Sequence, residues 1–269
     1  MGYILDISHH QPPNKINYDK LAKQVDLVII RTQYGSLTID KYYKTHHKEF
    51  QKRGVPTAAY AWVRGVNVKD MEVEATDFYN RTKDLNPTFW FLDVEEKSMA
   101  DMRKGVSAYI KKLRQLGAKK VGVYIANHLY VSFNLNLAEA DAVWIPSYGR
   151  NDGFISGSKK PGFPCDIWQF TSTGRLDGYN GNLDLNILNS NKTIDYFTGK
   201  ETVIADTPKE EIKVPDKKED LKKHWASKEI QKAIDKKIMT GYSDGTWKPD
   251  QSLTRAEFVT VLNTLGLLD

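Results

Sequence analysis

Short apolar runs recur through the first two-thirds of this 269-residue chain, and amphipathic stretches separate several of them. Eight of the runs are strand candidates: 3–7, 27–32, 57–63, 88–93, 121–126, 142–148, 166–170 and 183–185. Helical patterns cover 42–53, 69–82 and 99–116. Strands that alternate with helices indicate a parallel sheet with right-handed crossovers. The pattern therefore predicts a small α/β barrel with few helices in its last third.

Polar residues stand where the strand candidates end. They are Asp6, Arg31, Tyr60, Asp93, Glu95, Tyr124, Asn127, Tyr148 and Gln169. In α/β barrels the carboxyl ends of the strands form the rim on which active sites are built. Many of these side chains are large, aromatic or amide-bearing, as a cleft for a sugar requires.

The run from Thr88 to Glu96 is the strongest chemical signal, because an apolar strand candidate ends in a cluster of carboxylates. Side chains two apart on a strand point to the same side, so Asp93 and Glu95 should project together. Close carboxylates push each other's pKa values apart, and one can then serve as an acid, as glycosidic cleavage requires. The alternative is a charged loop that caps a core strand. Glu96 should point to the other face and be structural.

The charge of the chain is mildly basic, with a formal net charge of +5. Residues 198–269 hold 13 basic and 13 acidic side chains, so the whole excess lies in residues 1–197. This favours a polyanionic surface such as a cell wall. The basic residues form no stripe dense enough to predict nucleic-acid binding.

Other partners and compartments are constrained by absences in the sequence. No apolar stretch approaches the ~20 residues that span a bilayer, so we expect no membrane partner. The N-terminus lacks a basic region followed by a long apolar core, so we expect no signal peptide. The single cysteine, Cys165, excludes an intrachain disulfide and is predicted to be buried filler.

Two histidine pairs, His9-His10 and His46-His47, could suggest a metal site. Adjacent residues in a strand or helix point apart, so neither pair should present two ligands to one ion. We therefore predict no metal and no cofactor.

A domain boundary is predicted after residue 197. Residues 198–217 carry two prolines and mixed charge without periodicity, which is typical of a linker. The remainder, 218–269, has a helical pattern over 225–238, a glycine-containing turn over 241–249 and a second helical pattern over 254–265. Such a short unit is marginal alone, so self-association is one way to stabilise it.

Four motifs of the first domain resemble glycoside hydrolase family 25, the Chalaropsis-type lysozymes. They are Asp6-Ile7-Ser8-His9-His10-Gln11, Asp93-Val94-Glu95, Trp168-Gln169 and Asp184-Leu185-Asn186. The resemblance covers about residues 1–197. It implies a TIM-like (β/α)5(β)3 barrel and N-acetylmuramidase activity on peptidoglycan, at the β-1,4 bond from N-acetylmuramic acid to N-acetylglucosamine.

The resemblance also implies roles for individual residues. Glu95 matches the general acid, and Asp93 matches a second carboxylate that either attacks the anomeric carbon or orients the substrate's N-acetyl group. Asp6 and Asp184 match acidic residues of the same pocket, with a turn cap and an Asx-turn as their structural alternatives. The sugar-contacting positions are matched or neighboured by Tyr60, Trp62, Tyr124 and Gln169.

The C-terminal unit resembles a single S-layer homology repeat, an all-α module that anchors proteins to pyruvylated secondary cell-wall polysaccharide. Trp225 and the sequence Leu253-Thr254-Arg255-Ala256-Glu257 carry the likeness, together with residues 241–249. Thr254 and Glu257 fit a helix capping box. Arg255 would oppose the helix dipole, and a bound anion would relieve that conflict. Arg255 and Trp225 are therefore the candidate polymer-binding residues.

Together these features predict a peptidoglycan hydrolase with a wall-anchoring module. The missing signal peptide and disulfides suit a phage endolysin that is made in the host cytoplasm and acts on the wall after release. A bacterial autolysin, a non-catalytic wall-binding barrel and a chitinase-like hydrolase are the alternatives.

Overall fold

The computed structural model describes residues 2–200, 224–236, 238–239, 247, 249–251, 253, 255–265 and 267–268, with only the backbone for residues 256 and 257. The chain separates into two compact units, Met1–Glu201 and Thr202–Asp269. The strands of the described residues are β1 (Tyr3–Ile7), β2 (Val25–Tyr34), β3 (Thr38–Ile39), β4 (Thr57–Trp62), β5 (Trp90–Val94), β6 (Val121–Ile125), β7 (Ala142–Pro146), β8 (Ile167–Gly174) and β9 (Leu183–Leu188).

Eight of these strands form a closed barrel. Their order is β1-β9-β8-β7-β6-β5-β4-β2, and β1 closes the ring by pairing with β2. From β1 through β2, β4, β5, β6 and β7 to β8 every neighbouring pair is parallel. Strand β9 is antiparallel to both β8 and β1, so its first residues lie at the edge where the other barrel strands end.

Five helices of the first unit connect barrel strands, and a sixth follows the barrel. They are α1 (Tyr18–Leu21), α2 (Tyr43–Gln51), α3 (Val68–Thr82), α4 (Met102–Leu116), α5 (Tyr130–Phe133) and α6 (Ile194–Thr198). Helices α1 to α5 follow β1, β3, β4, β5 and β6, and no α-helix separates β7, β8 and β9. The predicted (β/α)5(β)3 architecture is therefore confirmed.

The barrel interior is filled by aromatic and branched side chains. Phe89 and Phe91 stack at a ring distance of 5.1 Å, and Trp144 meets the Phe91 ring edge-on at 5.6 Å. Gly122 on β6 makes room for this layer, because a Cβ atom there would lie 2.2 Å from the Phe91 ring. Phe197 of α6 is fully buried against Phe89.

A second apolar layer lies between the barrel and its helices. Helix α4 shows how the sequence builds this layer. Its N-cap residue Asp101 accepts a hydrogen bond from the Lys104 N–H at 2.9 Å, and Gly117 ends it with a positive φ of 110°. Its buried residues include Val106, Tyr109 and Leu113.

Several local features differ from the sequence predictions. Strand β3 and helices α1, α5 and α6 were not predicted, because elements of two to five residues carry too little periodicity. Helix α4 begins at Met102 rather than 99, because Asp101 caps it. Thr198, predicted to open the linker, is buried at the end of α6. Within the predicted linker, residues 201–217 lie outside the described residues.

The second unit contains helix α7 (Ser227–Asp235) and helix α8 (Arg255–Thr264). Trp225 is 88% exposed, and Arg255 is exposed at the start of α8. Most of the predicted turn over 241–249 lies outside the described residues, as do Thr254 and the side chain of Glu257, so the capping box stays a prediction. Among the described residues, no helix has the length and apolarity needed to cross a membrane.

Candidate active site

Four carboxyl groups converge at the carboxyl end of the barrel. Asp6 on β1 is paired in register with Asp184, which stands one residue into the antiparallel β9. Asp93 is the fourth residue of β5, and Glu95 follows directly after that strand. Asp6 and Asp93 are each 5% exposed, whereas Glu95 and Asp184 are half-buried. Glu95 and Asp184 are thus the two carboxyls that a ligand reaches first.

Asp93 and Glu95 project together, as their two-residue spacing predicted, and their side chains are in hydrogen-bond contact. Burial raises the pKa of Asp93 well above its usual range, and the nearby Glu95 charge raises it further. Burial also raises the pKa of Glu95, while the hydrogen bond from Asp93 opposes that rise. The surroundings therefore favour the protonated form in both members of the pair, and more strongly at Asp93. The second oxygen of Asp93, Oδ1, is buried without a hydrogen-bond partner among the described residues.

Asp6 is held by two amide side chains. Gln169 Nε2 and Asn186 Nδ2 each donate a hydrogen bond of 2.8 Å to Asp6 Oδ2. Burial and the neighbouring Asp184 carboxyl raise the pKa of Asp6 well above its usual range, although the amide hydrogen bonds work in the other direction. Burial therefore favours the protonated form of Asp6, and the two amides hold its side chain in a fixed orientation.

The fourth carboxyl, Asp184, titrates near neutrality. Burial raises the pKa of Asp184 to about 7, with a further contribution from the negative charge of Glu95. An acid in this range changes its charge under the conditions in which many enzymes work. The site consequently carries fewer than four negative charges at neutral pH.

Gln169 joins two tyrosines to the carboxyl cluster. Its Oε1 atom accepts hydrogen bonds from the Tyr124 hydroxyl at 3.1 Å and from the Tyr148 hydroxyl at 2.5 Å. The same side chain donates to Asp6, so the tyrosines fix which end of the amide faces the carboxyl. Tyr60 is 9% exposed, and burial, followed by the charge of Asp6, raises the pKa of its hydroxyl well above the usual value.

Trp62 belongs to an aromatic and ionic cluster beside the carboxyls. Its indole N–H donates a 3.1 Å hydrogen bond to Glu96 Oε1, which also accepts from Arg64 Nε at 2.6 Å. The Arg64 guanidinium lies 4.6 Å from the centre of the Tyr34 ring, and that ring is 5.3 Å from Trp62. Glu96 thus contacts Trp62 and Arg64 rather than the Asp93–Glu95 pair, and it orients the indole.

Glu74 of α3 holds the backbone next to this cluster. It is 1% exposed, and both its carboxyl oxygens accept from the Arg64 backbone N–H, at 3.1 and 3.3 Å. Burial raises the pKa of Glu74 to about 8. The helix thereby fixes the backbone two residues after Trp62. The sequence did not reveal this link, because it joins a helix interior to a loop ten residues away.

Arg31 lies between the carboxyl cluster and the loop after β1. Its Nε donates to Asp40 Oδ2 at 3.2 Å, its Nη2 contacts His9 Nδ1, and Asp40 is fully buried. The positive charge of Arg31 lowers the pKa of Asp93, against the effect of burial. These side chains, with Tyr34, Ile39 and Lys41 among others, line a cavity of about 220 Å³.

The expectation that His9 and His10 point apart was wrong. Their ring centres lie 4.1 Å apart, because both residues are in a turn and not in a strand. His46 and His47 on α2 do have separate partners. His46 Nδ1 is 2.7 Å from the Tyr18 hydroxyl, and His47 Nδ1 is 2.7 Å from Thr57 Oγ1.

Burial lowers the pKa values of His46 and His47 to about 4 and about 3, so both are neutral. In the described part of the chain, no group of three or more His, Cys, Asp or Glu side chains could hold a metal ion. Cys165 is buried, and burial raises the pKa of its thiol.

The eight residues predicted for the catalytic site lie together at one end of the barrel. Three further residues hold them through side-chain hydrogen bonds. Asn186 holds Asp6, Tyr148 holds Gln169 and Glu96 holds Trp62. The sequence placed Tyr148 on the rim without a role and marked Glu96 as structural. Asn186 belongs to the motif Asp184-Leu185-Asn186. Its position two residues after Asp184 is the sequence signal that could have identified it as a site residue.

Two family models match the chain. The model described as glycosyl hydrolases family 25 matches residues 5–179, and the S-layer homology domain matches residues 219–259. The first match spans more than half of the chain. The second lies within the unit that contains α7 and α8.

Solved structures are similar to the barrel. The GHIP glycosyl hydrolase 25 of Streptococcus pneumoniae, described as a virulence factor in host cell invasion, is 38% identical, with a TM-score of 0.69 over 73% of this chain and 90% of that chain. The catalytic domain of endolysin ply40, from bacteriophage P40 of Listeria monocytogenes, is 29% identical, with a TM-score of 0.69 over 74% of this chain and 98% of that chain.

The second unit is similar to part of a surface protein. Cell surface glycoprotein 1 of Acetivibrio thermocellus is 54% identical over 39 residues, which is 14% of this chain and 2% of that protein. The likeness is therefore confined to one repeat-sized segment.

Proposed function

We propose that this chain, a peptidoglycan hydrolase that belongs to glycosyl hydrolases family 25, cuts one particular bond of its substrate. The bond is the β-1,4 link from N-acetylmuramic acid to N-acetylglucosamine. The hydrogen-bonded pair of Asp93 and Glu95 carries this proposal, since glycosidic cleavage needs one carboxyl that donates a proton and a second that is anionic. The lysozyme-like pair stands at the strand ends, where barrel enzymes place their chemistry.

Glu95 is the general acid in this proposal. It is the more exposed member of the pair, so the glycosidic oxygen can reach it. Burial favours its protonated form. A proton on Asp93 needs only to cross the hydrogen bond to Glu95 before it is donated to the leaving oxygen. Transfer in that direction leaves Asp93 as the anion, and the nearby charge of Arg31 favours this state.

Asp93 is the second catalytic carboxyl, and it either attacks the anomeric carbon or orients the N-acetyl group that attacks it. Two carboxyls in hydrogen-bond contact leave no room for the water that separates an inverting pair, about 6.5–9.5 Å apart. We therefore propose that the anomeric configuration is retained.

Asp6 and Asp184 complete the acidic floor of the site. The transition state of glycoside cleavage resembles an oxocarbenium ion, and a facing carboxylate stabilises that positive charge. Asp184, whose pKa is raised to about 7, can supply a negative charge as the reaction proceeds. Asp6, buried and held by two amides, fixes the position of Asp184 through their strand pairing.

Tyr60, Trp62, Tyr124 and Gln169 are the proposed sugar contacts. Their positions support this role, since each of them lies on a strand next to a strand that carries one of the four carboxyls. Trp62 is paired in register with Asp93, and Asp93 with Tyr124. The half-exposed indole, oriented by Glu96, offers a flat apolar face for a sugar ring.

The second unit is proposed to hold the enzyme on secondary cell-wall polysaccharide through Arg255 and Trp225. Both side chains are exposed, and the similar segment of Cell surface glycoprotein 1 belongs to a protein of the cell surface. Self-association of these units would present several repeats to one polymer.

A phage endolysin is the origin we favour, supported by the likeness to ply40, with a bacterial autolysin as the alternative. The two differ in their genomic setting. A prophage lysis region around the gene would support the first, and a chromosomal cell-division or wall-turnover region would contradict it.

The deciding experiment is reducing-end release from purified peptidoglycan, with mass analysis of the fragments, for the parent, Glu95→Gln and the control Glu72→Gln. Glu72 is an exposed acidic residue of α3. We expect muramic acid at the new reducing ends. Loss of the proton donor should lower kcat about 10²–10⁴-fold in Glu95→Gln, while Glu72→Gln stays at the parental rate.

Two results would contradict the proposal. New N-acetylglucosamine reducing ends would make the enzyme a glucosaminidase. Parental activity in Glu95→Gln would remove Glu95 from the role of acid.

A further inference from the structure

Helix α4 and the turn after it form the most one-sided charged segment of the barrel. Residues 102–120 contain seven basic side chains and no Asp or Glu. The basic residues are Arg103, Lys104, Lys111, Lys112, Arg114, Lys119 and Lys120. Five of them are exposed and two are half-buried. The segment thus holds more positive charge than the net +5 of the whole chain.

Folding of α4 does not require these cations. Its buried face is apolar, with Met102, Val106 and Ile110 among its members. Arg103 and Lys104 stand in the first turn, where a positive charge opposes the helix dipole. Lys111 and Lys112 are adjacent like charges, which repel each other. Acidic residues at some of these positions would stabilise the helix better, so its stability does not explain the pattern.

Three of the seven basic side chains bind within the fold. Arg103 donates to the Asn134 carbonyl, Arg114 forms a 2.9 Å ion pair with Asp141, and Lys120 Nζ donates to the Tyr196 carbonyl at 2.7 Å. The other four, Lys104, Lys111, Lys112 and Lys119, form no ion pair in the described part of the chain. We call these four residues the lysine stripe.

Three members of the lysine stripe lie on one side of helix α4. At 100° per residue, Lys104, Lys111 and Lys112 lie within about 100° of the helix circumference, and they span about 12 Å along its axis. Lys119 is an exposed residue that follows Gly117, the residue that ends the helix. A row of point charges of one sign suits a chain that carries repeated negative charges.

We propose that the lysine stripe binds a phosphodiester polyanion of the cell wall, a polyol-phosphate chain, at a surface separate from the catalytic cleft. Helix α4 packs on the outside of the barrel, whereas the four carboxyls lie at the strand ends, so polymer on α4 leaves the cleft open. The binding raises the local concentration of enzyme at its insoluble substrate. It acts independently of Arg255 and Trp225 in the second unit.

The test measures binding of the full-length protein to soluble, fluorescently labelled poly(glycerol phosphate) by anisotropy at increasing sodium chloride concentrations. The parent is compared with a reversal variant, K104E/K111E/K112E/K119E. The matched control, K44E/K48E/K52E/K69E, makes the same charge change at four other exposed lysines without ion pairs. A neutralised variant, K104Q/K111Q/K112Q/K119Q, replaces the reversal if circular dichroism shows that the latter misfolds.

We expect the reversal variant to bind at least about tenfold more weakly than the parent at low salt, with a shallower salt dependence, and the control to lose much less. Hydrolysis of soluble peptidoglycan fragments free of phosphodiester polymer should be equal in all variants. That assay separates this proposal from the proposed catalytic function, since a failure of hydrolysis leaves the anisotropy result intact.

Three results would overturn the inference. The first is no binding by the parent, and the second is an equal loss in the reversal and control variants. The third is stronger binding to duplex DNA than to poly(glycerol phosphate) at equal phosphate concentration, which would assign the lysine stripe to nucleic acid.

Discussion

At the scale of single residues, burial rather than charge alone decides where protons reside in this site. Desolvation is the largest cause of the raised pKa in all four carboxyls, Asp6, Asp93, Glu95 and Asp184. Mutual repulsion then separates them further. A site that keeps acids protonated at neutral pH gains a proton donor and loses folding stability, since the unfolded chain releases those protons more easily.

Replacement of Asp184 by Asn tests this cost. The pKa of Asp184 is raised to about 7, against about 3.9 in an unfolded chain. Between these pH values the folded state retains a proton that the unfolded state releases, so the parent loses stability as the pH rises through this window. Asn cannot ionise, and Asp184→Asn should therefore raise Tm by about 5 °C near pH 8.

The gain in Asp184→Asn should disappear below about pH 4, where both states of the parent are protonated. The measurement is thermal unfolding across pH, with the exposed Asp177→Asn as the control. An equal gain at both pH extremes would mean that titration of Asp184 is not its cause.

At the scale of elements, the reversal of one strand completes the site. Because β9 runs antiparallel to β1 and β8, its early residue Asp184 faces Asp6 at the rim, and Asn186 reaches Asp6 from the next inward position. A parallel strand with the same sequence would place Asp184 at the opposite end of the barrel. Helix α3 makes a second contribution of this kind, because its Glu74 side chain accepts a hydrogen bond from the backbone of the loop after β4.

The contact between β5 and β6 gives a prediction at this scale. A methyl group on Gly122 would lie 2.2 Å from the Phe91 ring, which is buried beneath Asp93. Gly122→Ala should therefore lower the free energy of unfolding by about 1–3 kcal/mol through overpacking. Urea unfolding measures the loss, and Gly162→Ala, where no heavy atom lies within 4 Å of the added carbon, is the control.

The double variant Gly122→Ala with Phe91→Leu should lose less stability than the sum of the two single variants, because the smaller side chain relieves the clash. Additive losses would show that the Phe91 ring is not what the new methyl group meets.

At the scale of the whole molecule, peptidoglycan cleavage and the proposed wall attachment belong to different units. The family 25 match lies in the first unit and the S-layer homology match in the second. Arg255 is exposed at the start of α8, where a cation is unfavourable without an anionic ligand. A change there should affect attachment and leave the chemistry unchanged.

Arg255→Ala should accordingly pellet with purified walls about tenfold less well than the parent, since charge-assisted hydrogen bonds contribute about 1.5–3 kcal/mol each. Turnover of soluble peptidoglycan fragments should not change. The exposed Lys228→Ala on α7 is the control for loss of a positive charge. Equal pelleting of the parent and Arg255→Ala would contradict an anion site at Arg255.

The sequence by itself determined the barrel, the approximate positions of its strands and the projection of Asp93 and Glu95 to one side. Apolar runs, helical periodicity and the two-residue repeat of a strand are local properties, and they need no knowledge of distant contacts. The same holds for the buried state of Cys165. It does not hold for elements of two to five residues, such as β3 and α6, whose conformation depends on their neighbours.

Only the tertiary structure decided what surrounds each carboxyl and therefore where its proton lies. Asn186 and Asp6 are 180 residues apart in the chain, and Gln169 and Asp6 are 163 apart. The close approach of the His9 and His10 rings likewise follows from a turn that no periodicity marks. The pKa of a buried acid depends on desolvation and on charges brought close by barrel closure, and a sequence pattern carries neither quantity.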